Sequence, residues 1–223
     1  MALVLNIETA TTNCSVSLSK DGETLILKED KDSGYSHAEK LHVYINELFK
    51  EANINPKDID AVAVSKGPGS YTGLRIGVSA AKGLCFALDK PLLAVSTLEI
   101  LAHQVKINQG YIVPMLDARR LEVYAAVFDA KFEQYRGIKA EILSKETYST
   151  LFKENKVYFI GSGVEKTKTL VTHSNAIFIE GQLPSANEMA QLSERKYKKS
   201  DIEDVAYFEP FYLKDFIAIK PKA

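Results

Sequence analysis

The stretch Asp60–Glu99 constrains the fold of this chain more than any other. Ala61-Val-Ala-Val64 reads as a buried strand, Gly67-Pro-Gly69 breaks it, and an apolar helix follows, Gly73–Leu88 at its widest. Pro91-Leu-Leu-Ala-Val95 then returns as the next strand. Glycine and proline in that order turn the backbone where most side chains would clash. A strand, turn, helix and strand in succession form a β-α-β unit and therefore imply a parallel sheet. Thr72 is placed to cap the helix by accepting from one of its free N–H groups.

That helix is apolar on more than one side. Between Gly73 and Leu88 only Arg75 and Lys82 are charged. A helix covering one face of a sheet needs a single apolar stripe, so this one is expected to be buried on a second side. Gly73, Gly77 and Ala80 share roughly one face, with Gly83 nearby. A mid-helix glycine costs about 1 kcal/mol against alanine, which is best explained where another backbone approaches. Spacing alone leaves two sources open: a neighbouring element of the same chain, or a second protein.

Composition excludes several classes. Lys+Arg 28 against Asp+Glu 29 leaves no global charge for nucleic acid or an anionic membrane, and 46% hydrophobic residues suffice for a sizeable core. Cys14 and Cys85 sit in an apparent strand and helix, which reads as two core thiols in a reducing compartment. The first residues lack a basic segment and meet Glu8 early, unlike a signal peptide. No apolar run is long enough to span a membrane. The expectation is a soluble, cytoplasmic protein.

In order, Leu3–Ile7 is a strand ending at Glu8, Thr9–Asn13 a hydroxyl-rich turn, and Cys14–Leu18 a second strand. Asp21-Gly22 is a hairpin signal leading to a strand at Thr24–Lys28. Ser36 and Glu39 suggest a capping box for a helix to Ala52, and Thr97–Val105 a further helix. The second half repeats the plan: Tyr111–Leu116 ends at Asp117, Arg119-Arg120 turn, and strands follow at Leu121–Phe128 and Tyr135–Ile142. Helices are expected near Lys145–Lys153, Val164–Thr172 and Ala186–Lys199, and strands at Val157–Ile160 and Ala176–Ile179. The aromatic tail Tyr207–Leu213 is expected to dock on the body.

A topology repeated without sequence repeat defines the expected class: α/β, two actin-like (ASKHA) lobes, each a mixed sheet with flanking helices. The lobes are expected at 1–106 and 107–223, the tail docking back on the first. In actin-like ATPases and sugar kinases, acids ending the first strand of each lobe sit at the metal–nucleotide cleft. Glu8 and Asp117 hold those places. A carboxylate after a strand is also a common turn residue, so the pair marks either a vestigial cleft or an actin-fold ATPase or small-molecule kinase.

Four segments carry a narrower resemblance: Leu5–Leu18, Ser36–Leu41, Gly67-Pro-Gly-Ser-Tyr-Thr-Gly-Leu-Arg-Ile-Gly77 and Pro210–Leu213. They resemble the TsaB (YeaZ) family of tRNA threonylcarbamoyladenosine biosynthesis proteins over essentially the whole chain. The resemblance implies a non-catalytic partner of TsaD. With the ATPase TsaE, the two install the threonylcarbamoyl group beside the anticodon of tRNAs reading codons that begin with A, from an adenylate supplied by TsaC. The expected docking face lies on the first two helices: Leu41, Tyr44, Ile45, Leu48, Gly73, Ile76, Gly77, Ala80 and Leu84. Without TsaD the same face is expected to favour a homodimer.

Neither metal nor cofactor is expected. TsaD carries a His-x-x-x-His helix that binds its metal; the matching positions here are Thr97 and Leu101, a poor ligand and none. His103 reads as a helix-end residue. His37 and His42 are five apart, about 140° round a helix, and so do not make the i, i+4 zinc pair of a metallopeptidase. No Ser-His-Asp order is assignable. Gly67-Pro-Gly69 at a helix start invites an anion but lacks a P-loop lysine and reads as structural. The run Glu194–Lys199 is either a weak contact for tRNA phosphate or a solvated helix end.

Overall fold

The computed structural model describes residues 2–31, 36–153 and 155–214. Met1 and 215–223, the outer ends of the two expected lobes, lie outside the described residues. The first sheet contains β1 (Leu3–Glu8), β2 (Cys14–Lys20), β3 (Glu23–Asp30), β4 (Ala61–Gly67) and β5 (Leu92–Ser96), in the order β3-β2-β1-β4-β5. The second contains β6 (Tyr111–Asp117), β7 (Glu122–Asp129), β8 (Gln134–Ile142), β9 (Val157–Ile160) and β10 (Ala176–Ile179), in the order β10-β9-β6-β7-β8. Both are mixed sheets of one plan. β1 and β6 are central, each antiparallel to the strand that follows it and parallel to β4 or β9.

Local chemistry sets the connections. Asp21 and Gly22 both take positive φ, which matches a two-residue hairpin to the strand twist. Arg119 and Arg120 also take positive φ, in the longer turn before β7. Helices α1 (His37–Ala52) and α2 (Tyr71–Leu88) lie over one face of the first sheet. There Leu41, Ile45 and Leu48 of α1 and Val78, Ala81 and Cys85 of α2 pack on Leu5, Ile7, Val62 and Val64. Helices α3 (Thr97–Ala102) and α5 (Ala186–Lys198) cover the opposite face, where Ile100, Ala186, Met189 and Leu192 meet Val4, Ala63 and Leu93. Helix α4 (Val164–Leu170) packs on the second sheet through Val164.

Several expectations need correction. The cap of α2 is Ser70, whose hydroxyl accepts from the Gly73 N–H at 3.2 Å; Thr72 lies inside the first turn, because the helix begins at Tyr71. Ser36 does not cap α1 with its side chain: its hydroxyl donates to Asp30 Oδ2 at 3.1 Å. No α-helix forms over Lys145–Lys153. Ser144 and Thr147 bond to neighbouring backbone and to each other, Tyr148 is left-handed, and one 3₁₀ turn at Ser149–Leu151 remains.

The chain beyond Pro184 packs on the first sheet. Ser15 accepts from the Ala186 N–H at 3.0 Å, and Ser17 donates to the Ala186 carbonyl at 2.8 Å. The residues after α5 form a strap. Glu203 N donates to Leu92 O at 2.8 Å along β5, Lys82 on α2 donates to Ala206 O and Phe208 O, and Phe211 N donates to Lys66 O at 2.7 Å. Lys214 then pairs with Glu122 of the second sheet.

Candidate protein-docking site

The two strand-end acids differ in environment. Glu8 is fully buried; its Oε1 accepts from Ala10 N at 2.6 Å, and its Oε2 has no partner among the described residues. Burial pushes its carboxyl up to about 7, against the lowering influence of the Ala10 N–H. The turn after Glu8 is sealed from outside. Ser70 N donates to Ala10 O at 2.7 Å, and a Cβ on Gly69 would collide with that carbonyl. Asp117 is exposed, with Oδ1 accepting from Arg119 N at 2.6 Å and pairing with Lys166 at 2.9 Å. Among the described residues the two acids share no hydrogen-bond partner.

Helix α3 is apolar where TsaD is expected to carry its metal. Thr97 and Leu101 are fully buried, and Leu101 fills the space beside Gly161. Leu98, Leu101 and Ala102 join Ile112, Leu116, Ala126 and Ile160, so this helix welds the two sheets together. His103 Nδ1 lies 2.9 Å from Glu99 O and its ring stacks on Phe132; burial lowers its pKa. His37 Nε2 lies 2.7 Å from the Thr11 carbonyl, whereas His42 faces the surface. Among the described residues, no three His, Cys, Asp or Glu side chains are grouped to hold a metal ion.

The glycine stripe resolves onto the chain itself. A Cβ on Gly73 would collide with Thr9 O, and one on Gly77 with Thr9 Oγ1, the hydroxyl that donates to Gly73 O at 2.8 Å. Leu41, Ile45 and Leu48 are core residues of the first sheet. These five therefore leave the expected docking face: helical periodicity marks them as buried, and the chain's own sheet and β1–β2 turn bury them. Ala80 is buried in that same core, though it also lines the outer groove, while Tyr44, Ile76 and Leu84 are half-exposed.

The outer side of the same helices has a different character. His42 of α1 and Arg75, Ile76, Ser79, Gly83 and Leu84 of α2 line a shallow groove of about 540 Å³. Among the described residues nothing lies within 4 Å of a Cβ built on Gly83, unlike those on Gly73 and Gly77. Phe86, one turn beyond Lys82, is 87% exposed, and Tyr207 on the strap is 84% exposed. Arg75 is held by Tyr71 and by Tyr212 of the strap. The sequence signals for this arrangement were the Tyr71–Arg75 spacing of one turn and the aromatic tail; the pairing of helix with tail had none. The basic run on α5 is largely paired within the chain: Arg195 with Glu99, Lys196 with Asp201 and Lys198 with Glu194.

Two mixed sheets with flanking helices, joined through α3, place the protein among two-lobed α/β proteins of the actin-like class. The ethanolamine utilization protein EutJ from Carboxydothermus hydrogenoformans has this fold, with a TM-score of 0.51 at 11% identity over 85% of this chain and 89% of its own. The family model TsaD: tRNA N6-adenosine threonylcarbamoyltransferase matches residues 31–222, and the chain belongs to that family, in its TsaB (YeaZ) branch. The TsaB protein of Bacillus subtilis is 29% identical over 221 residues, covering 95% of this chain and 93% of its own. YeaZ from Pseudomonas aeruginosa superposes with a TM-score of 0.81 at 27% identity, covering 96% of this chain and all of its own. A tRNA N6-adenosine threonylcarbamoyltransferase of Staphylococcus aureus is 38% identical over 108 residues, or 42% of this chain and 32% of its own.

Proposed function

We propose that this chain works in the cytoplasm as a non-catalytic subunit in threonylcarbamoyladenosine formation on tRNA, docking a TsaD-type relative through the outer side of α1 and α2. The transfer chemistry resides in the relative, and TsaE joins the pair. This chain fixes the relative's lobe arrangement and helps present tRNA. The carrying observation is the contrast along α2: Gly77 is filled by its own chain, whereas Gly83 and Phe86 face outward beside an apolar groove. An exposed apolar helix face of this kind is a liability unless a partner covers it, and a second copy is expected there when the relative is absent. The curated relatives' name, tRNA threonylcarbamoyladenosine biosynthesis protein TsaB, supplies the pathway. The partial match to a tRNA N6-adenosine threonylcarbamoyltransferase is in keeping with a partner of related sequence.

Titration calorimetry against the purified TsaD-type relative tests the reading. Gly83→Leu, which fills the groove, and Phe86→Ser, which truncates an exposed apolar anchor, are expected to weaken binding at least about tenfold. Unchanged affinity in both variants would refute the face. Formation of modified tRNA from threonylcarbamoyl-adenylate by this chain alone would refute the non-catalytic role.

A further inference from the structure

Arg75 is fixed in place before any partner arrives. Its Cζ lies 4.2 Å from the centroid of the Tyr71 ring, its Nε donates to Tyr212 Oη at 3.1 Å, and the two tyrosine rings are 5.2 Å apart. Tyr71 sits one turn earlier on α2, while Tyr212 arrives on the strap, anchored next door by the Phe211–Lys66 backbone bond. An arginine side chain has several free rotamers, and holding an exposed one between two aromatic residues removes most of them.

Among the described residues no carboxylate forms an ion pair with Arg75, and α2 contains no Asp or Glu. Glu209 on the strap acts on it only through space. With Nε taken by Tyr212, the two terminal nitrogens remain, a fork that matches the two oxygens of a carboxylate. Arg75 is itself one of the residues lining the groove, with Ile76, Gly83 and Leu84.

We propose that Arg75 is the charge anchor of this surface and receives an Asp or Glu side chain from the docking protein, whose neighbouring apolar residues enter the groove. The proposal rests on the docking function above and specifies its register. A protein carboxylate fits better than a polynucleotide. Phosphate backbones are held by several free cations in a row, and here Lys82 is committed to the Ala206 and Phe208 carbonyls. Tyr212 is then a positioning residue, which makes the strap part of the docking surface.

Calorimetry with the purified TsaD-type relative, repeated from about 50 to 500 mM salt, reads the anchor directly. Arg75→Ala is expected to bind about tenfold or more weakly and to lose part of the salt dependence, as truncation of one partner of an interfacial charge pair does. Arg75→Lys is expected to fall closer to alanine than to the parent, because lysine keeps the charge but loses the fork. Tyr212→Phe is expected to weaken binding about threefold through faster dissociation, with the parent melting temperature. Arg75→Glu is expected to be rescued by reversing one acidic residue on the partner. If Gly83→Leu abolishes binding while Arg75→Ala stays within about twofold, the anchor is wrong and the docking face stands. If no groove variant changes affinity, both fall. If Arg75→Ala spares the protein complex and weakens tRNA retention instead, the ligand is phosphate and the proposal is overturned.

Discussion

Replacing Glu8 by glutamine should abolish a specific part of the pH dependence of folding. In the folded chain the buried carboxyl is raised from 4.5 to about 7, chiefly by desolvation. Below about 4.5 both folded and unfolded chains hold the proton, and the full stability is present. As the pH climbs, the unfolded chain ionises first and gains free energy that the native state cannot match until about 7. At about 1.36 kcal/mol per pH unit, the parent should lose on the order of 3 kcal/mol across that window relative to Glu8→Gln, and nothing further above it. Glutamine keeps the acceptor for the Ala10 N–H and carries no charge, so it mimics the protonated acid. Urea denaturation of both proteins at intervals from pH 4 to 8 measures the difference, since other titrating groups cancel between them. A stability difference that does not vary with pH would show that Glu8 is solvated or charge-paired in the native chain, contrary to its enclosure.

The two kinds of glycine on α2 should separate cleanly. Gly77→Ala should destabilise by roughly 1–3 kcal/mol, because its Cβ displaces Thr9; Gly83→Ala should stabilise by about 0.5–1 kcal/mol through helix propensity, both read by thermal melting. Leu101→Ala should cost about 3 kcal/mol by opening a cavity between the sheets, with the two halves losing cooperativity in calorimetric unfolding. Tyr212→Phe and Arg75→Ala should leave melting unchanged, since both side chains act at the surface.

The sequence made the frame of this molecule readable because strands, glycine turns and strand-end acids follow local rules. The β4–α2–β5 unit, the Asp21-Gly22 hairpin and the repeated strand order of the two halves all came from spacing and turn chemistry. The docking residues were harder to assign for a physical reason. Periodicity at Leu41, Ile45 and Leu48 reports that a face is buried and is silent on what buries it. For the glycines it offered the right two candidates, but only the folded chain brings the Thr9 carbonyl and hydroxyl against them. The apolar stripe of α5 reports a buried face but not which sheet buries it; Ala186, Met189 and Leu192 meet Val4, Ala63 and Leu93 of the first sheet, and the hydroxyls of Ser15 and Ser17 hold its first residue there. Over Lys145–Lys153, helix formers lost to hydroxyl–backbone bonds of Ser144 and Thr147.

Amide hydrogen exchange, followed on this chain alone and mixed with its TsaD-type relative, tests the central claim most directly. Slower exchange confined to Tyr71–Leu88, the facing turns of α1 and the strap around Tyr207–Tyr212 is the predicted footprint. A footprint centred on the Asp117 turn, with α2 exchanging as before, would contradict it.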